Sequence, residues 1–192
     1  VAGNTSFTKS QFFLNSYFLK ADFGNAYFKG VKFHEDADFT EAQFCGNAYF
    51  NRSQFNGNTY FLDSNFESNV CFLGANFGGH THFLRNNFIG YLNLDLSRIY
   101  SMSLLDANFE SGSTISLKQS DFFKLELKWP IISDKIIYDG PAYLALVRNY
   151  NNLGWFRDAD NCYYRYRFIE GSNLKGISKF VDLIARGIYG YG

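Results

Sequence analysis

Phenylalanine recurs along this chain at near-constant spacing, at 7, 12, 18, 23, 28, 33, 39, 44, 50, 55, 61, 66, 72, 77, 83 and 88. Steps are five or six residues and alternate from Phe28 on, which defines an eleven-residue unit. This period matches neither a helix nor a plainly alternating strand. One large apolar residue at a fixed interval is the mark of a solenoid, in which each unit buries its face only against its neighbours. Position i−2 from a ladder Phe is nearly always small: Ala21, Ala26, Ala37, Ala42, Ala48, Ser53, Thr59, Ser64, Ala75, Thr81. In an extended stretch i and i−2 point to the same side, so each short strand sends one large and one small side chain inward. Positions i−1 and i+1 then face out, and they carry Asp, Asn, Gln and Tyr.

The longer step has its own residue. Gly46, Gly57, Gly79 and Gly90 stand two positions after a centre that opens a six-residue gap, with Ser68 in the matching slot. A glycine at a fixed corner predicts a positive-φ turn with one residue bulged out. Two eleven-residue units make one four-sided coil of about 22 residues, stacked on the next at ~4.8 Å. After Phe88 the centres continue as Leu94, Ile99, Leu104, Phe109 and Ile115, with small partners Ser97, Ala107 and Ser113. The count predicts about five coils and a rod roughly 25 Å long.

The segments ADFGNAYFKG (21–30), ADFTEAQFCG (37–46) and EAQFCGNAYF (41–50) resemble pentapeptide-repeat proteins, in the variant with Phe at the centre. The resemblance implies a right-handed quadrilateral β-helix with Phe28, Phe33, Phe39, Phe44, Phe50, Phe55, Phe61, Phe66, Phe72, Phe77, Phe83 and Phe88 as its core ladder. The expected fold is therefore an all-β solenoid over 1–127, followed by an α-helical cap over 128–192. The six-residue steps depart from the strict five-residue pattern of the family.

The ladder ends near Leu127, where Trp129-Pro130 and Ile131-Ile132 read as a segment that lids the open coil. Solenoid ends need such covers, because a bare coil is an open sheet edge. Asp139-Gly140-Pro141 signals a helix start, and Gly154 a stop. Tyr143, Leu146, Val147, Tyr150 and Leu153 fall on one face. A second helix is predicted over 156–169, with Phe156, Ala159, Tyr163 and Tyr166 on its stripe. The spacing of Tyr150, Gly154, Ala159 and Tyr163 is similar to a tetratricopeptide-type hairpin. Residues 176–189 read as an amphipathic helix, which offers membrane contact through 176–192. The stretch DADNCYYRYR (158–167) resembles a segment that follows the repeats in archaeal and bacterial pentapeptide-repeat membrane proteins. There a channel-like transmembrane pair comes next, which this resemblance would place beyond Gly192.

Chemistry-bearing motifs are sparse. Lys and Arg total 18 and Asp and Glu total 18, so no net field favours nucleic acid. Cys45, Cys71 and Cys162 are too few and too scattered for a disulfide framework, which suits a reducing, cytoplasmic setting. His80-x-His82 lacks a third metal ligand, and Glu35, Asp36, Asp38 and Glu41 read as a solvated patch rather than an acid–base pair. No GxSxG, P-loop, HExxH or CxxC occurs. Neither an enzyme nor a bound cofactor or metal is expected.

Three outward tyrosines are candidates for an interaction surface. Tyr27 and Tyr49, 22 residues apart, should stack coil on coil, while Tyr60 belongs to the opposite wall, below His82. The function expected is a protein-interaction scaffold, as the cytoplasmic part of a channel-like membrane protein. The alternative is a DNA mimic acting on a topoisomerase, which the family resemblance implies for some members. That role needs a dense acidic surface, and residues 1–115 hold ten acidic against seven basic side chains. Homo-oligomerisation through a coil end is a further expectation from the resemblance.

Overall fold

The computed structural model describes residues 3–173. The chain divides between Ile137 and Tyr138 into two compact units. The helix read over 176–189 lies outside the described residues.

The first unit is a parallel β-solenoid with four walls. The first wall stacks Thr5–Ser6, Ala26–Tyr27, Ala48–Tyr49, Val70–Cys71, Tyr91–Asn93 and Thr114–Ser116. The second wall begins with Gln11–Phe12, Lys32–Phe33 and Gln54–Phe55, and the third with Ser16–Tyr17, Ala37–Asp38 and Thr59–Tyr60. Both walls continue through the long strands Asn76–His82, Arg98–Ser103 and Asp121–Glu126, which bend round the corner between them. The fourth wall stacks Asp22–Phe23, Gln43–Phe44, Asn65–Phe66, Asn87–Phe88 and Asn108–Phe109. That makes five full coils and three walls of a sixth, one more than the ladder count predicts.

The extra coil was hidden by the register at Ile115. Ile115 pairs with Leu92, so it occupies the i−2 place, not a centre. The true centres of the sixth coil are Leu117, Phe122 and Leu127. Both i and i−2 point inward. Once i−2 is also large and apolar, as at Val70, Leu92 and Ile115, spacing alone cannot tell the two apart.

Phe28, Phe33, Phe39, Phe44, Phe50, Phe55, Phe61, Phe66, Phe72, Phe77, Phe83 and Phe88 are each 0–1% exposed. Along each wall their rings stack coil on coil with centroids 4.7–5.0 Å apart. Across the tube they meet edge to face, as Phe28 and Phe39 do at 5.4 Å and 89°. Both geometries suit the ring quadrupole. The stacking distance follows from the strand spacing, so aromatic packing and backbone pairing are satisfied together. Small polar residues at i−2 close the corners. Ser53 Oγ donates to the Phe28 carbonyl at 2.5 Å, and Ser64 Oγ to the Phe39 carbonyl at 2.7 Å. Asn86 takes the same place, its amide donating to the carbonyls of Phe61 and Ser64.

The corner glycines have a different cause from the one expected. Positive φ falls at five-residue corners, on Lys9, Lys20, Gly30, Glu41, Arg52, Asp63, Gly74, Arg85, Leu96 and Gln119, and once more at Gly112 after Phe109. Gly46, Gly57, Gly79 and Gly90 are not in that region. They are glycine because adjacent coils touch there: a Cβ on Gly57 would lie 2.6 Å from the Glu35 carbonyl carbon, and one on Gly90 2.7 Å from that of Ser68. A bulge does occur at Gly78–Gly79, where a six-residue corner is stacked against a five-residue one and the register shifts between Phe77 and His80.

Asparagine ladders run up the same corners. The Asn25 N–H donates to Asn4 Oδ1, Asn47 N–H to Asn25 Oδ1, Asn69 N–H to Asn47 Oδ1 and Tyr91 N–H to Asn69 Oδ1, at 2.9–3.2 Å. A second ladder climbs through Asn15, Asp36 and Asn58 to the His80 N–H. Each side chain satisfies a backbone donor where the strand breaks.

Residues 128–137 close the far end of this unit. Trp129–Ile132 forms a short helix, α1, with Trp129 and Ile132 buried. Ile136 then makes a parallel bridge to Ile115, and the Ile137 N–H donates to the Ile115 carbonyl at 2.9 Å.

The second unit is a helical hairpin. Helix α2, Gly140–Asn152, is capped by Asp139, whose carboxylate accepts the Ala142 N–H at 3.0 Å, and Pro141 stands in its first turn. Gly154 ends the turn with φ +72°. Helix α3, Phe156–Asn173, is four residues longer than its stripe predicts. Tyr143, Leu146 and Tyr150 are buried, as are Ala159 and Cys162. Phe156 is not on the packed face, being 65% exposed. Trp155, stacked on Tyr150 at 6.2 Å, heads the stripe in its place. Tyr138 donates to Glu170 across the hairpin.

Candidate interaction surface

The outward residues form columns, because stacked coils repeat every wall at 21 to 23 residues. Tyr27 and Tyr49 stack on the first wall at 5.3 Å and 14°. Lys29 Nζ lies 4.4 Å from the Tyr49 ring and 5.4 Å from Tyr27. The ammonium satisfies the ring faces, so this pair is largely occupied within the chain. Tyr60 is on the third wall, two strands further round the coil. The three tyrosines therefore do not form one patch.

Tyr60 instead begins a longer aromatic run. Its ring stacks on His82 at 5.7 Å and 8°. His82 neighbours His80 at 6.3 Å, His80 meets the edge of Tyr100 at 5.6 Å, and Tyr100 stacks on Phe123 at 5.8 Å and 7°. The run climbs from the third wall to the second across the bulged corner, and Phe123 is 77% exposed. Beneath Tyr100 the column holds Gly78, which with Asn76, Arg98, Asp121 and Phe123 lines an open depression of about 550 Å³. Leu62, Leu84 and Leu105 follow the centres Phe61, Phe83 and Leu104 outward on the third wall. The 22-residue repeat carries the signal for Tyr27–Tyr49 and Tyr60–His82, but the link from His80 to Tyr100 depends on the register shift between Phe77 and His80, which spacing does not show.

Charges around the solenoid are mixed. Arg85 grips Asp63 with two hydrogen bonds at 2.6 and 2.5 Å, and its guanidinium holds that carboxyl below the usual range. Lys20 pairs with Glu41 at 3.4 Å and Lys124 with Glu126 at 3.0 Å. Among the described residues no group of three or more His, Cys, Asp or Glu could hold a metal ion. Cys45, Cys71 and Cys162 are free thiols. No described helix is long and apolar enough to cross a membrane.

A family model described as pentapeptide repeats, nine copies, matches residues 18–64. Residues 18–64 are thus built of pentapeptide repeats. The matched stretch lies within the unbroken Phe ladder of residues 7–88, where i−2 is mostly small. No curated protein and no solved structure matches the chain. The solenoid presents outward side chains at intervals fixed by the coil repeat.

Proposed function

We propose that this pentapeptide-repeat protein is a non-enzymatic interaction module that recognises a protein partner on its second and third walls. The observation that carries this reading is the outward run Tyr60–His82–His80–Tyr100–Phe123 beside Arg98. Exposed aromatics held rigid by stacking lose little entropy on binding, and aromatic and Arg side chains dominate interface hot spots. Leu62, Leu84 and Leu105 extend the apolar area along one edge. The DNA-mimic alternative has less support, since Glu41, Asp63 and Glu126 each sit beside a basic partner. Free cysteines suit a reducing compartment, in keeping with a cytoplasmic module.

The test compares wild type with a Tyr100→Ser/Phe123→Ser variant by cross-linking in source cells and quantitative mass spectrometry. A defined set of neighbours should disappear from the variant while its melting temperature holds. Identical neighbours for both proteins would count against this surface.

A further inference from the structure

Net neutrality conceals an uneven charge distribution around the solenoid. The corners between the first and second walls carry Lys9, Lys29, Lys32, Arg52, Arg98 and Lys118 against only Asp95 and Asp121. At the corners between the third and fourth walls the balance reverses, with Lys20 and Arg85 set among Asp22, Glu41, Asp63 and Asp106. There both cations are paired to a carboxylate of the neighbouring coil. On the basic side Arg52 and Arg98 have no ion pair among the described residues, although Asp121 stands in register with Arg98. Asp95 is engaged elsewhere, its Oδ1 accepting from Ser116 Oγ at 2.5 Å and from the Lys118 N–H at 2.8 Å. Arg52 and Arg98 are both exposed, and with Gln54, Asn76 and Leu96 they line an open depression of about 410 Å³ to which no carboxylate contributes.

We infer that this depression is an anion subsite for an acidic segment of a protein partner, a reading that rests on the second and third walls binding protein and names the chemistry of what binds. Asn76 and Arg98 line both this depression and the one beside Phe123, so a single extended segment can reach the two. Arg52 belongs to the third coil and Arg98 to the fifth, which sets their strands ~10 Å apart along the wall. About three extended residues span that distance. A guanidinium fork takes a carboxylate in two parallel hydrogen bonds, and the amides of Gln54 and Asn76 add neutral donors. The segment that fits has acidic residues followed within a few positions by an aromatic or large aliphatic one. A phosphodiester chain fits less well. It is charged at every unit and would meet Asp121, which lines the second depression, where a peptide can present an uncharged side chain.

Fluorescence anisotropy of the full chain with labelled Glu-Glu-Glu-Trp-Glu-Glu-Glu at low ionic strength tests it. Saturable binding is expected, weakened by added salt and about tenfold weaker for the peptide with Gln in place of Glu. Arg52→Gln/Arg98→Gln should lose about tenfold or more in affinity. Lys20→Gln/Arg85→Gln makes an equal change of charge at the opposite corner and should leave the affinity unchanged. All four side chains are exposed, so both variants should melt like wild type. No saturable binding of the acidic peptide, equal losses for the two variants, or tighter binding of oligo(dT) than of the peptide would each overturn the proposal. Cross-linking in source cells separates it from the reading it rests on. If Tyr100→Ser/Phe123→Ser loses its neighbours and Arg52→Gln/Arg98→Gln keeps them all, the protein-binding surface stands and the acidic segment falls. If both variants keep them, the surface itself falls.

Discussion

A single inward Phe does two jobs, filling the tube and seating the next coil. Phe55 is stacked between Phe33 and Phe77 at 5.0 Å on each side. Phe55→Asp would bury a carboxylate with no partner and should abolish the cooperative thermal transition. Phe55→Leu keeps volume and apolarity and should cost about 1–1.5 kcal/mol in a denaturant melt. The glycines separate by mechanism in the same assay. Gly57→Ala forces a methyl against the backbone of the coil below and should cost roughly 2–3 kcal/mol. Gly30→Ala meets nothing closer than Lys9 Cγ at 3.8 Å, so only its φ of +65° is strained, at a cost of about 1 kcal/mol. Equal costs for the two would refute the close-approach explanation. Glycine at 46, 57, 79 and 90 was legible as a corner marker. Its cause was not, because a tight turn and a tight neighbour both exclude Cβ, and only coordinates tell them apart.

At the scale of elements, the helical hairpin stores a pH dependence. Burial pushes the Cys162 thiol up to about 12, helped by the charge of Asp158, and it pushes the Tyr143 hydroxyl up to about 12 as well. Both groups are neutral when protonated. Their unfolded values are near 8.5 and 10. A folded pKa above the unfolded one means the unfolded chain releases its proton first as pH rises. Hairpin stability should thus be full below about pH 8.5 and decline toward pH 12. Urea titrations followed at the helical ellipticity band check this. Cys162→Ala should flatten part of the decline, and a flat profile in wild type would contradict the burial. The boundaries of α2 were readable because capping chemistry is local: Asp139, Pro141 and Gly154 act within a few residues of themselves. The stripe of α3 was not, because Phe156 and Trp155 are equally apolar and only packing against Tyr150 chooses between them.

For the solenoid unit taken whole, stability depends on having a neighbour on both sides. The amides of Phe7 and Phe18 donate to Tyr27 and Asp38 at 2.8 and 2.7 Å, the same bonds that Phe28 and Phe39 make to Tyr49 and Tyr60. Hydrogen-bond length is therefore equal, and local opening should not be. Hydrogen exchange at Phe7 and Phe18 should be at least ~10-fold faster than at Phe28, Phe39 and Phe50 at low protein concentration. Uniform protection across these amides would show that the first coil is as firmly held as the inner ones.

Repetition is what made the architecture readable from residues alone. A Phe every five or six positions with a small residue at i−2 can bury itself in few ways, and a four-walled parallel coil is the one that serves all units equally. The match of residues 18–64 to the pentapeptide repeats rests on that same pattern. Where the pattern loses contrast, at Ile115 and Leu117, the coil count slipped, since two inward positions of similar size carry no register. The outward surface was legible only in part. Tyr27 stacking on Tyr49 and Tyr60 on His82 follow from counting, but the link from His80 to Tyr100 and Phe123 depends on a corner that is one residue shorter in the fifth coil than in the fourth. Periodicity sets which side chains turn inward, because burial is a property of every unit. Which outward side chains meet is decided by how unequal corners stack, and that exists only between coils.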